Sequence, residues 1–180
     1  MNPIPFEEAQ LAPLRTDSEI EERVSQLIGR ANVRQLWFMF LDSEGVQLPL
    51  MIPVDGLPSS PTDDETALLV ARLSEVMIEI DATSIVTVWE RYGAARLTAQ
   101  DAVWARSLKA ACAEGGVKLR AMLLSHRTGV RWIAQDDYEA GEPLVNVTVA
   151  SSVTVVSGGA AASGGASVSR AVPLVEGGVG

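Results

Sequence analysis

Leu36-Trp37-Phe38-Met39-Phe40-Leu41 is an unbroken apolar run. Six residues are too few for a typical helix, and an absence of alternation leaves no side for water, so the run reads as a strand buried on both faces. A strand of that kind needs a partner strand on its flank and packing elements above and below. The rest of the chain must therefore supply a sheet and the helices that cover it.

The remaining pattern supplies both. Asp17 to Ala31 reads as a short amphipathic helix: Asp17 or Ser18 can cap it, Glu21 and Glu22 suit its positive end, and Ile20, Val24, Leu27 and Ile28 recur at helical spacing. After the apolar run, Asp42-Ser43-Glu44-Gly45 is a turn and Val46 to Val54 returns as the second strand of a hairpin. Pro49 and Pro53 cannot donate to a ladder, which places that second strand at a sheet edge. Thr62-Asp63-Asp64-Glu65 has the form of a capping box and opens a helix over about 63–80, with Leu69, Leu73, Val76 and Ile80 along one face and Leu68 and Met77 widening it. Ser84 to Trp89 is a third strand, and Glu90 to Leu97 a loop. Thr98-Ala99-Gln100-Asp101 starts a helix that buries Trp104, Leu108, Ala111 and Cys112 and ends at Gly115-Gly116. Two strands follow, about 117–125 and 129–134, joined by a turn that holds His126. The order α-ββ-α-β-α-ββ predicts an α/β fold, a mixed sheet flanked by helices with hairpins at its margins. Three regions follow from the composition: an N-terminal segment with its helix (1–34), an α/β domain (35–138) and a low-complexity Gly/Ala/Ser/Val tail (139–180). Within the tail, 144–156 alternates partly as a strand would, and the residues from Ser157 resemble a flexible linker.

Charge narrows the function classes. Among 180 residues, 14 Lys and Arg face 23 Asp and Glu, a net charge of −9, so nonspecific attraction to nucleic acid or anionic membrane is not expected. The distribution is uneven: residues 82–134 set eight bases against Glu90, Asp101 and Glu114, a basic segment between acidic ones. Complementary pairing within the fold or an anion-friendly surface could each result. With His126 and Cys112 the only His and Cys, neither a four-ligand Cys/His zinc site nor an internal disulfide can be assembled. No metal and no cofactor is expected. A lone thiol and the absence of a signal-like or membrane-spanning stretch fit a cytoplasmic protein. Asn146-Val147-Thr148, a glycosylation triplet in form, is then a chance match.

From about Gln35 to Gln135 the chain resembles the JAB/JAMM metalloprotease-like domain, in the version found in RadC-type proteins. The likeness rests on the apolar strand ending Phe40-Leu41-Asp42, the returning strand, the helix, and a strand leading into a loop. The resemblance implies a JAB/deaminase-like three-layer architecture. It also implies where a zinc site would stand: the family's His-x-His corresponds to Trp89-Glu90-Arg91, and its Ser-x-x-Asp to Thr98-Ala99-Gln100-Asp101, at a spacing one residue shorter. Asp55 is the acid nearest the family's upstream glutamate. Trp and Arg do not ligate zinc, so the scaffold resemblance comes without its metal ligands.

The leading expectation is a non-catalytic, pseudoenzyme RadC/JAB-like domain that binds a protein partner around the loop 89–98, with Trp89, Arg91, Arg96 and Thr98 as binding residues. One alternative is a metal-independent hydrolase with Glu90 and Asp101 as paired carboxylates. Another is an anion or nucleotide binder using Arg91 and Arg96 at a helix N-terminus. Thr98 with Asp101 three residues on is also an ordinary helix cap. His126 in a surface turn and Cys112 on a buried stripe are not expected to meet as base and nucleophile, and the four Trp are expected in the core.

Overall fold

The computed structural model describes residues 12–139. In chain order the elements are α1 (Asp17–Leu27), β1 (Gln35–Leu41), β2 (Gln47–Val54), α2 (Asp63–Glu79), β3 (Ser84–Glu90), α3 (Ala99–Glu114), β4 (Leu119–His126), β5 (Gly129–Trp132) and α4 (Gln135–Glu139). Five strands form one mixed sheet in the order β2-β1-β3-β4-β5. β1 runs antiparallel to both β2 and β3, β3 and β4 are parallel, and β5 folds back antiparallel on β4. β3 lies at the centre, and every one of its residues is buried.

Helices cover both faces, as the apolar runs require. Phe38, Phe40, Ile85, Trp89 and Leu124 lie under Val70, Leu73 and Met77 of α2 and Trp104, Leu108 and Cys112 of α3. On the opposite face Met39, Leu41, Val86, Val88 and Leu123 pack against Ile20 and Val24 of α1. Adjacent residues of β1 and β3 thus enter different cores, which is why those strands have no polar side. The proline-bearing β2 is an edge strand with Pro49 and Pro53 exposed, and its register slips between Met39 and Leu41, opposite the stretch that holds Pro49.

Several local expectations change. Thr16, rather than Asp17 or Ser18, caps α1, in a capping box with Glu19. That helix stops at Leu27, short of Ala31, because Gly29 adopts a left-handed backbone at φ 65°. The fully buried stripe of α2 is Thr66, Val70, Leu73 and Met77; Leu69, Val76 and Ile80 of the expected face pack against the same core only partly buried, and Leu68 is 60% exposed. Packing of α2 against α3 as well as the sheet turns the stripe toward Val70. His126 belongs to β4 rather than to a turn. His126 pairs with Gly129, which leaves only Arg127-Thr128 as the hairpin loop, and the ring is buried. The short α4, not expected from the sequence, brings Tyr138 into the core. The expectations for 144–156, for the linker-like stretch from Ser157 and for Asn146 lie outside the described residues.

Candidate functional site

Where β3 ends and β1 begins, the antiparallel register sets Gln35 opposite Glu90. A cavity of about 80 Å³ opens there, lined by Arg34, Gln35, Gly56, Leu57, Trp89, Glu90, Arg91, Asp101 and Trp104. The carboxyl end of a parallel strand beside a helix N-terminus is the usual place for a ligand in a sheet of this type. The volume is below the roughly 300–1,000 Å³ of most small-molecule pockets and is room for no more than a short side chain or a few waters.

Glu90 is the last residue of β3 and is buried. One oxygen accepts from the backbone N–H of Asn32 at 2.9 Å and of Val33 at 3.4 Å; the other accepts from Gln35 Nε2 at 2.7 Å and from the indole N–H of Trp37 at 2.9 Å. Burial pushes toward the protonated acid, but the donors from Asn32, Trp37, Gln35 and Val33 outweigh it and hold the carboxyl below its ordinary range. Glu90 is thus an ionised acceptor with four donors, tying the α1–β1 connection to the centre of the sheet.

Asp101, 2% exposed, stands in the first turn of α3. Its Oδ2 accepts the Thr98 N–H at 3.1 Å while Thr98 Oγ1 accepts the Asp101 N–H, a closed capping box. The same oxygen lies 2.7 Å from Arg91 Nε, a close charge contact in which the N–H is not aligned as a hydrogen bond. Oδ1 lies 3.5 Å from Arg34 Nη2, whose side chain is half exposed at the rim. Arg91 is itself buried, and its Nη2 donates to the carbonyls of Ala94 and Arg96, which curls the loop 91–97 around its guanidinium.

The structure brings Trp89, Glu90, Arg91 and Asp101 together at one cavity. It does not bring Arg96 or Thr98 into the lining: both are exposed, Arg96 contributes its backbone carbonyl, and Thr98 caps α3. Trp104 donates its indole N–H to Pro58 O at 2.8 Å and pins the α2 approach over the cavity. Trp89 and Trp104 are buried, whereas Trp37 and Trp132 are only partly so. Among the described residues, no three His, Cys, Asp or Glu side chains gather as a metal site would need.

Sequence reasoning missed Arg34, Gln35, Gly56, Leu57 and Trp104 as members of the cleft. Their signal was indirect: once β1 pairs antiparallel with β3, the residues just before β1 must flank the carboxyl end of β3. Two further titratable groups lie outside the cavity lining. Burial, then Arg131 and Arg91, depress the pKa of His126, whose Nδ1 faces the Thr128 N–H and hydroxyl. Burial pushes the Cys112 thiol up to about 11, which leaves it an inert core side chain. Among the described residues, no helix is long and apolar enough to cross a membrane. No protein-family model matches the chain, and no curated protein matches it.

Proposed function

We propose that the domain is a non-catalytic recognition module, RadC/JAB-like in the arrangement of its strands and helices, that binds a protein partner at the sheet end framed by the loop 91–97. The observation that carries this reading is the state of the two carboxylates at the cavity. Glu90 accepts from four donors, and Asp101 is shared among a helix cap and two arginines. A general acid or base needs a carboxyl with a lone pair or proton free for substrate, and an activated water needs a free oxygen to hold it. These groups spend their hydrogen-bonding capacity on the fold.

The small cavity favours a macromolecular partner over a nucleotide-sized ligand. So does the exposed apolar surface beside it, where Tyr92 is 70% and Val33 51% exposed. Trp89 and Arg91, standing where the resemblance places zinc-binding histidines, agree with a scaffold that works without a metal. The test is metal analysis of protein purified without chelator. Zinc far below one equivalent is expected, and stoichiometric zinc that disappears on Asp101→Ala would overturn the proposal.

A further inference from the structure

Three segments meet at the sheet end that carries the cavity. Ala31 N–H donates to His126 O at 3.1 Å, Arg127 N–H to Gly93 O at 3.1 Å, Arg91 N–H to Ser125 O at 3.1 Å, and the Arg131 guanidinium to Ala95 O. The segments 29–34, 91–98 and 126–131 hold six arginines, Arg30, Arg34, Arg91, Arg96, Arg127 and Arg131, and no acidic residue. The acids at their borders are occupied: Glu90 and Asp101 are buried as described, and Asp137 takes Arg131 in a two-point pair at 2.8 and 3.1 Å. Arg30, Arg96 and Arg127 remain exposed with no side-chain partner among the described residues. Across the cavity, on the connection from β2 and at the start of α2, Asp55, Asp63 and Asp64 are exposed. A protein of net charge −9 therefore presents a basic surface on one side of its cleft and an acidic one on the other.

Neighbouring like charges without counter-charges repel, and a covering anion relieves them. All the cations here are arginines, whose planar fork matches a carboxylate at two points. Tyr92 and Val33 stand exposed among them and offer the aromatic and apolar anchor that protein interfaces favour. A long polyanion would meet the acidic side of the cleft and the overall negative charge, whereas a short acidic segment needs only the basic side. We infer that this end docks an acidic segment of a partner protein, its carboxylates on Arg30, Arg96 and Arg127 and an apolar side chain against Tyr92. This rests on the reading of the domain as a recognition module and adds the chemistry of the partner.

The test is fluorescence anisotropy with a short dye-labelled peptide of Glu and Asp around a central Leu. Binding that weakens with salt is expected. Arg96→Glu/Arg127→Glu should lower affinity about tenfold or more, roughly 1.4 kcal/mol. Arg15→Glu/Lys118→Glu, the same charge change at exposed sites near the opposite end, should leave it within about twofold. Circular dichroism checks that each variant is folded, and Arg96→Gln/Arg127→Gln should give an intermediate loss. Absence of peptide binding, equal losses in the two charge-reversed variants, or tighter binding of a single-stranded oligonucleotide would each overturn the inference. A failure here in a zinc-free protein removes the acidic partner alone, whereas stoichiometric zinc removes the recognition module itself.

Discussion

His126 carries a proton-linked cost that the fold sets. Its burial and the nearby Arg131 and Arg91 favour the neutral ring, so the pKa in the folded protein lies below the 6.5 of an ordinary histidine. Between those two values the unfolded chain binds the extra proton, and stability rises with pH. Lowering the pH from neutral through 6.5 should therefore weaken the protein until the folded pKa is passed, beyond which this residue adds no further change. Urea midpoints measured across that interval check it: His126→Gln should show a flatter profile than the parent. Thr87 gives a second prediction at this scale. Its Oγ1 is fully buried in β3 with no hydrogen-bond partner among the described residues. Removing an unsatisfied hydroxyl while keeping the shape, as Thr87→Val does, should leave stability unchanged or raise it by about 1 kcal/mol in urea denaturation.

At the scale of elements, each of the three long helices among the described residues opens with a capping box: Thr16 with Glu19, Thr62 with Glu65 and Thr98 with Asp101. The last two were legible in the sequence as a Thr standing three residues ahead of an acid at the start of a helical pattern. Before α1, Asp17 and Ser18 are equally good caps, and local sequence does not choose among three. Helix packing is less legible, since which face of α2 is buried depends on where α3 lies. Gly115 marks that contact. A Cβ built there would stand 2.8 Å from Val70 Cγ1 on α2 and 3.1 Å from Ala111 O, and with φ at −79° the obstacle is space rather than backbone conformation. Gly115→Ala should cost about 1–2 kcal/mol by overpacking. In that background Val70→Ala should cost less than it does alone, a coupling that a double-mutant cycle of urea unfolding measures.

Residues 12–139 form an α/β fold whose central strand is covered on both faces, and the unbroken apolar run at Leu36 announced that much. The run does not say that β1 lies between β2 and β3, because strand order is set by long-range pairing. For that reason Arg34 and Gln35 were invisible as members of the cleft, while Trp89, Glu90, Arg91 and Asp101, close together along the chain, could be named from it. The uneven charge was likewise legible as a basic central segment, but its convergence with Arg30 and Arg34 needed the fold. On the proposed reading, Glu90 and Asp101 hold this structure together instead of acting on a substrate. Catalytic groups are often kept at a cost in stability, so replacing them tends to leave a fold as stable or more so. Structural carboxylates behave oppositely, since each replacement here strands buried donors or a buried arginine. Equilibrium urea unfolding of Glu90→Gln and Asp101→Asn at neutral pH decides between them. A loss of about 2 kcal/mol or more in each variant is expected, and stability equal to or above that of the parent in both would contradict the claim.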